Sequence, residues 1–368
     1  MIVNGKTALD YAKMGADTLI RAFTVEELPP KNRFHYHQGV FLSGVERIYV
    51  LSGEKKYYRY IKDWIDYYID ENGNIRFDEH SRQFDDMQPA ILLFNLYHET
   101  KDGRYKKVLD TFAPMVEMWP TNAKGGFWHK YEHPNQMWLD GLYMIGPYSV
   151  MYARYFGKPY FYETVYQQMN LMRRNMTCSK TGLLYHGWDD SRESGWADKH
   201  TGLSSECWGR AIGWYAVAIM DILDYMPPDH GRRQEYINAE LDVINALIRF
   251  QDEETGLWFQ VVDKGERKDN WLEISCSSLF TYAIAKAIKK GLLHQSFIRY
   301  VHKAYQGIIN SLVFQGDDLV VSNICIGTEV GDYRFYIDRP TVQNDLHGMG
   351  AFLLMCSEYY DTCKQLGL

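Results

Sequence analysis

The chain repeats one pattern six times: an amphipathic helix, a turn bearing glycine or asparagine, a short alternating stretch and another helix. The helical part is clear at Ile61, Trp64, Ile65 and Tyr68, which share one helical face at the i, i+3, i+4 and i+7 spacing. Successive alternating stretches lie roughly 60 residues apart, which indicates repeated supersecondary units. The stretches cover 32–39, 72–79, 124–132, 180–189, 254–263 and 315–323.

The repeat predicts about twelve helices and an all-α fold with short β-like segments in its loops. Six hairpins of alternating outer and inner helices close into an (α/α)6 barrel, whereas an open helical solenoid is the alternative. No linker rich in proline, glycine or serine divides the chain, so we expect residues 1–368 to form a single domain. The predicted helices lie near 7–22, 39–51, 55–70, 86–99, 103–119, 140–156, 159–174, 208–226, 231–250, 273–289, 295–311 and 347–365.

Composition excludes several classes of protein. The 40 basic and 47 acidic residues give a net charge of −7 without a basic stripe, which disfavours a nucleic-acid partner. The chain has no apolar run of about 18 residues, so we expect no membrane span. Asp10 lies where the apolar core of a secretion signal would be, and the six cysteines form no CxxC pair. We therefore expect buried thiols and a cytoplasmic location. The sequence carries no signal for the oligomeric state, and a monomer is the default expectation.

Polar and aromatic residues gather just before, or at the start of, the even-numbered helices. If these are the inner helices of a barrel, their N-termini all open at one end, which we call the mouth. Helix N-termini expose free N–H groups and favour anions, so the sequence predicts a binding site at the mouth. The gathered residues are Tyr36, His37, Gln38, Asp85, Asp86, Asp140, Glu206, Trp208, Arg210, Trp271, Glu273, Asn344, Asp345 and His347.

Asp140 is the strongest catalytic candidate. Its neighbours in sequence, from Met137 to Tyr143, are mostly apolar, and an apolar setting raises the pKa of a carboxyl group. We therefore expect a protonated Asp140 that acts as a general acid near neutral pH. The alternative is that Asp140 only caps a helix, and the same alternative applies to Asp85 or Asp86.

Arg210 lies between Trp208 and Trp214, where a guanidinium group can hold a carboxylate through two parallel hydrogen bonds beside an indole wall. An internal ion pair with Glu206 or Asp189 is the alternative for Arg210. Two further basic–aromatic clusters, at 128–130 and 186–188, indicate sugar contacts. The sequence lacks HExxH, EF-hand, GxGxxG, GxxxxGK[ST] and GxSxG motifs, so we expect no metal and no cofactor.

These motifs together resemble the unsaturated rhamnogalacturonyl hydrolases of glycoside hydrolase family 105, which are related to the unsaturated glucuronyl hydrolases of family 88. The resemblance covers most of the chain in order, and it implies an (α/α)6 barrel. It is carried by Tyr36-His37-Gln38-Gly39, Phe84-Asp85-Asp86-Met87-Gln88-Pro89, Phe127-Trp128-His129-Lys130, Trp138-Leu139-Asp140-Gly141-Leu142-Tyr143-Met144, Leu184-Tyr185-His186-Gly187-Trp188-Asp189, Trp208-Gly209-Arg210-Ala211-Ile212-Gly213-Trp214, Arg339-Pro340 and Asn344-Asp345-Leu346-His347-Gly348.

The resemblance also implies a reaction: hydration of the C4=C5 double bond, which releases unsaturated galacturonic acid from the non-reducing end of lyase-generated pectin (rhamnogalacturonan) oligosaccharides. It implies that Asp140 protonates C4 and assists water at C5, and that Asp85 is a second functional carboxylate. Arg210 is the first candidate to grip the uronate carboxylate, and Lys130 is the second. Three alternatives stay open: action on unsaturated glucuronyl oligosaccharides, sugar epimerisation and sugar binding without catalysis. The expected substrate contacts are Tyr36, His129, Lys130, His186, Trp208, Arg210, Trp214 and His347.

Overall fold

The fold was obtained as a computed structural model that describes residues 2–76 and 82–368. Its helices are α1 (Ala8–Ala22), α2 (Tyr36–Ser52), α3 (Lys55–Tyr68), α4 (Leu92–Thr100), α5 (Gly103–Glu117), α6 (Asp140–Phe156), α7 (Tyr160–Met176), α8 (Gly209–Tyr225), α9 (Arg233–Leu247), α10 (Ile274–Lys289), α11 (Ile298–Asn310), α12 (Tyr333–Ile337) and α13 (Leu346–Leu366). The strands form four antiparallel pairs: β1 (Ile2–Val3) with β2 (Lys6–Thr7), β3 (Gln136–Trp138) with β4 (Gly187–Asp189), β5 (Val313–Gln315) with β6 (Asp318–Val320), and β7 (Ile324–Cys325) with β8 (Thr341–Val342).

Six inner helices, α2, α4, α6, α8, α10 and α13, form a closed ring. Helices α6, α8, α10 and α13 pack in succession, and the last of them, α13, packs against the first, α2. The turn at 88–91, which leads into α4, bridges α2 and α6 on the other side of the ring. Helices α1, α3, α5, α7, α9 and α11 lie outside. The predicted (α/α)6 barrel is therefore confirmed, and the open solenoid is excluded.

Burial separates the two layers. Every residue of α10 from Ile274 to Ile288 is buried, as is typical of a helix that is surrounded by others. The outer helix α3 buries a single stripe, which includes the predicted Ile61 and Trp64. The charged residues of α3 therefore face the outside, whereas polar residues of the inner helices must find partners inside the barrel.

The predicted β-like stretches are mostly short bridges that follow the outer helices. Single bridges join Ile69 to Ile75 after α3, and Thr177 to Leu184 after α7. The prediction was wrong at 36–39: these residues form the first turn of α2, which begins three residues earlier than expected. Residues 77–79 of another stretch lie outside the described residues. Within the described ranges, no helix is long and apolar enough to cross a membrane.

The ring closes where two glycines let α2 and α13 approach each other. A Cβ atom on Gly44 of α2 would lie 2.6 Å from Cβ of Leu353, and one on Gly350 of α13 would lie 2.5 Å from the carbonyl carbon of Val40. Real Cβ atoms essentially never come this close to another heavy atom, so the two helices can pack at this distance only without side chains at these two positions.

Gly350→Ala is therefore expected to force α2 and α13 apart and to lower the free energy of unfolding by about 1–3 kcal/mol, as overpacking does. Chemical denaturation measures this change. Gly103→Ala at the start of α5 is the matched control, because its Cβ would meet no described atom within 4 Å. Equal stability of the two variants would show that the packing of α2 against α13 does not require glycine at position 350.

Candidate active site

A cavity of about 240 Å³ opens at the mouth. It is smaller than the roughly 300–1,000 Å³ of pockets for drug-sized ligands, so it suits a single sugar ring. A larger groove of about 770 Å³ lies between α7 and α9 on the outside, away from the carboxylates and histidines of the mouth. The cavity is lined by Arg33, His35, Tyr36, His37, Gln83, Asp85, His129, Lys130, Trp138, Asp140, Met144, Gly327, Thr328 and Glu329.

Asp140 is the first residue of α6, directly after β3. Pairing of β3 with β4 brings His186 opposite Leu139 and so beside Asp140, and the Leu139 N–H donates a hydrogen bond to the His186 carbonyl. As a result, Nε2 of His186 lies 3.1 Å from Oδ2 of Asp140. The other ring nitrogen, Nδ1, lies 2.7 Å from the hydroxyl of Tyr336. The carboxyl group therefore has a buried histidine on one side and the cavity on the other.

The predicted raised pKa of Asp140 is wrong in the free protein. Burial does raise the pKa of this carboxyl group, as expected. Electrostatic attraction to His186 and His129, together with a hydrogen bond from the helix backbone, lowers it by more, so the pKa lies below its ordinary value. The apolar neighbours of Asp140 in sequence are thus outweighed by the histidines that the fold places beside it.

Asp85 lies in a helical turn at 84–86 that runs beside residues 129–130. Its Oδ1 is 3.4 Å from Nε2 of His129, and its Oδ2 is 3.9 Å from Nζ of Lys130. The His129 ring stacks on Trp138 at 4.4 Å, which fixes its orientation. Burial raises the pKa of Asp85, but the attraction to His129 and Lys130 outweighs it and keeps the pKa far below its ordinary value.

Lys130 offers a cation to a ligand in the cavity. Its Nζ lies 3.9 Å from Asp85 and 3.6 Å from Glu329, which are loose contacts, and 5.3 Å from the centre of the Trp138 ring. The side chain is 17% exposed, so it can turn toward a bound anion. Its charge, partial exposure and loose pairing make Lys130 a stronger candidate than Arg210 to bind a carboxylate group of a ligand.

Five residues that the sequence placed in the sugar pocket lie behind the cavity wall: His186, Trp208, Arg210, Trp214 and His347. Arg210 is 1% exposed, and its two terminal nitrogens donate to the carbonyls of Cys325 and Ile326 at 2.5 and 2.6 Å. Neither of its alternative partners, Glu206 and Asp189, holds it. Arg210 therefore donates from both terminal nitrogens to backbone and is placed to hold the loop that follows β7.

The other four support side chains of the site. Trp208 stacks on Tyr336 at 5.5 Å, and His186 lies between this pair and Asp140. Trp214 stacks on Tyr143 at 4.7 Å and meets the edge of Tyr36. His347 lies 3.0 Å from the Cys325 carbonyl, the oxygen that also accepts from Arg210.

Sequence reasoning missed several residues of the cavity and of the wall behind it. Trp138 stood in the motif around Asp140, yet only the structure shows that it forms the floor under His129 and Lys130. Tyr336 lies on the short helix α12, which was not predicted, and nothing local in sequence connects it with His186. Arg33 and Glu329 come from loops, where periodicity carries no signal.

Comparisons with known proteins agree with this fold. Glycosyl Hydrolase Family 88 matches residues 11–363. The unsaturated rhamnogalacturonyl hydrolase YesR of Bacillus subtilis is 27% identical over 348 residues, which cover 89% of this chain and 90% of that protein. A solved glycoside hydrolase of family 105 from C. acetobutylicum ATCC 824 is 33% identical, with a TM-score of 0.90 over 95% of this chain and 99% of the other.

A more distant solved structure has the same fold. It is the unsaturated glucuronyl hydrolase of Bacillus sp. GL1, responsible for the degradation of glycosaminoglycan. The two chains are 15% identical, with a TM-score of 0.69 over 94% of this chain and 95% of the other. The (α/α)6 barrel is thus common to relatives of both families.

His186→Gln is expected to raise the pKa of Asp140, because it removes the group whose attraction lowers that pKa most. If Asp140 acts in its protonated form, kcat/KM falls as the pH rises through this pKa. The alkaline limb of the pH–rate profile should then move to higher pH in the variant. His200→Gln on an exposed turn is the control. An unmoved limb in His186→Gln would show that His186 does not set the acid strength of Asp140.

Proposed function

The chain belongs to Glycosyl Hydrolase Family 88, and from this membership we propose that it is an unsaturated uronyl hydrolase. Its substrates are lyase-generated oligosaccharides that carry a 4,5-unsaturated galacturonic acid at the non-reducing end, of the rhamnogalacturonan type. The observation that carries the proposal is the meeting of Asp140, Asp85 and Lys130 in one cavity of single-sugar size. The cavity then contains both a carboxyl group that can act as the acid and a cation that can bind the uronate carboxylate.

The proposed reaction uses Asp140 twice. The protonated carboxyl group gives its proton to C4, the electrons of the double bond form the new C–H bond, and the positive charge at C5 is shared with the ring oxygen. Water adds at C5 and returns a proton to the Asp140 carboxylate. The resulting hemiketal opens, and the glycosidic bond then breaks to release the next sugar. One water is consumed and the acid is regenerated.

Asp85 supports this chemistry without donating a proton. Its low pKa keeps it a carboxylate, and it lies within 4 Å of both His129 and Lys130. We propose that it holds these two groups and accepts hydrogen bonds from the sugar hydroxyls. Trp138, on which His129 stacks, adds an aromatic side chain to the lining of the cavity.

The choice of a rhamnogalacturonan-type substrate rests on the relatives that span this chain. YesR, named for that activity, aligns over 89% of the chain, and the family 105 structure over 95%. The glucuronyl hydrolase shares the fold at 15% identity, so action on unsaturated glucuronyl oligosaccharides is the second candidate. Hydration of the double bond removes the ultraviolet absorbance of either substrate. Offering each substrate separately therefore shows which of the two is turned over. Turnover of the glucuronyl substrate alone would overturn the first choice.

Asp140→Asn should lower kcat on the unsaturated substrate by about 10²–10⁴-fold, the usual contribution of a general acid. Binding should survive, because the amide has the same shape and the sugar contacts remain. The rate is followed by ultraviolet loss, and binding by calorimetry. Asp229→Asn, on an exposed loop, is the matched control and should leave the rate unchanged. Native turnover in Asp140→Asn would refute its assignment as the acid.

Lys130→Met should raise KM more than it lowers kcat, because the cation is proposed to bind the uronate carboxylate in substrate and transition state alike. A hydrogen bond to a charged group contributes about 1.5–3 kcal/mol, so the expected rise in KM is about tenfold or more. Lys124→Met in the preceding exposed turn serves as the control. An unchanged KM in Lys130→Met would exclude Lys130 as the carboxylate-binding group.

A further inference from the structure

Three side chains with metal-binding atoms meet where α2 and α13 begin: His37, Asp345 and His347. One ligand atom from each lies within 4.8 Å of the others. Oδ1 of Asp345 is 2.8 Å from Nδ1 of His347 and 3.7 Å from Nε2 of His37. The two imidazole rings meet edge to face at 5.0 Å, so they converge on the carboxylate from different directions.

The hydrogen bonding of His347 leaves one nitrogen unexplained. Nε2 lies 3.0 Å from the Cys325 carbonyl, which only accepts, so this nitrogen carries a proton and donates it. In the neutral form of the ring, this leaves a lone pair on Nδ1. This atom has no hydrogen-bond partner among the described residues, although the side chain is fully buried. Buried polar atoms without partners are rare in native proteins.

The neighbouring carboxylate does not resolve this by itself. Oδ1 of Asp345 is close to Nδ1 of His347, but the pair lacks the alignment of a hydrogen bond. Two unshared electron pairs therefore face a common space at 2.8 Å. A cation in that space would satisfy both atoms, and it would be within reach of Nε2 of His37.

The distances fit a small divalent ion. With ligand bonds of about 2.0–2.2 Å, two ligands on a tetrahedral zinc ion lie about 3.3 Å apart. The observed separations of 2.8 and 3.7 Å lie on either side of this value. Two imidazoles and one carboxylate are ligands that zinc prefers, and they leave a fourth position for water. The second ring nitrogen of His347 is fixed by the Cys325 carbonyl, as in known metal sites.

We propose that His37, Asp345 and His347 bind a Zn²⁺ ion that links the first and last inner helices at the mouth. His37 comes from α2, and Asp345 and His347 come from the start of α13, so the ion joins the two helices whose packing closes the ring. Any proton on Nδ1 of His347 is released to water when the ion binds. His37 also lines the cavity, but none of the three ligands is Asp140 or Asp85, and the proposal does not rest on the proposed reaction.

Local sequence patterns do not reveal this site. His37 and Asp345 lie at opposite ends of the chain, and only ring closure brings them together. The spacing of Asp345 and His347 alone is common. The absence of a metal-binding motif therefore excludes only sites whose ligands are close together in sequence.

The test uses the full-length protein without an affinity tag, treated with a chelator and dialysed. Titration with ZnCl₂ is followed by calorimetry, and the bound metal is counted by elemental analysis. The native protein should take up one Zn²⁺ per chain, and its unfolding temperature should rise. CoCl₂ should give the visible absorption of a tetrahedral cobalt site. None of these readouts requires a substrate.

Two variants and one control make the result specific. Asp345→Asn keeps a side-chain oxygen that accepts from the backbone N–H of His347, so the N-cap of α13 remains, but the charged ligand is removed. His37→Ala removes a partly exposed ligand. Each should weaken Zn²⁺ binding at least about tenfold, whereas exposed His200→Ala should bind as the native protein does. Circular dichroism verifies that all variants are folded. No stoichiometric Zn²⁺ in the native protein, or native binding in either ligand variant, overturns the proposal.

Discussion

The close approach of α2 and α13 at Gly44 and Gly350 is the constraint on which the rest of the structure depends. A row of helical hairpins has two ends, and each end exposes an apolar face to water unless it is covered. Here the last inner helix covers the first, so both faces are buried at once. Because all inner helices then begin at one end, residues as distant as Tyr36 and His347 become neighbours.

Closure places polar groups inside the barrel, and their partners build the wall of the cavity. Arg210 and His347 both reach the carbonyl of Cys325, while the Cys325 N–H donates to Glu273 at the start of α10. A buried guanidinium group without acceptors would be strongly destabilising, so these contacts are obligatory for the fold. They also hold the loop at 327–329 against the cavity. A motif residue can therefore support the cavity wall without lining the cavity.

Much of this was predictable from sequence because helical periodicity reports burial directly. The stripe at Ile61 and Trp64 identified an outer helix, and the polar residues before the even-numbered helices marked the mouth. The structure brings Asp140 and Asp85 to the same cavity, as the repeat indicated.

What failed depended on contacts that are distant in sequence. The pKa of Asp140 was predicted from Met137 to Tyr143, but it is controlled by His186, which only the pairing of β3 with β4 brings near. The hydrogen-bond partner of Arg210 is a backbone carbonyl that lies 115 residues further along the chain. Neither periodicity nor local composition contains this information, whereas strand pairing and loop position do.

The surroundings of Asp140 bear on how one carboxyl group can serve as both acid and base. The Gly331 N–H donates to the Tyr336 hydroxyl, which lies 2.7 Å from Nδ1 of His186. Burial lowers the pKa of His186 and raises that of Tyr336. If the phenol donates to Nδ1, the ring proton of His186 lies on Nε2, 3.1 Å from Oδ2 of Asp140.

That arrangement favours an ionised Asp140 while the cavity holds no anion. A uronate carboxylate beside it raises the pKa, because two like charges in a buried site disfavour each other. In the proposed reaction the substrate therefore promotes the protonation that its own double bond requires. Once C4 has taken the proton, the same histidine stabilises the carboxylate that must accept a proton from water. A carboxyl group in purely apolar surroundings would be a ready acid but a poor partner for this second step.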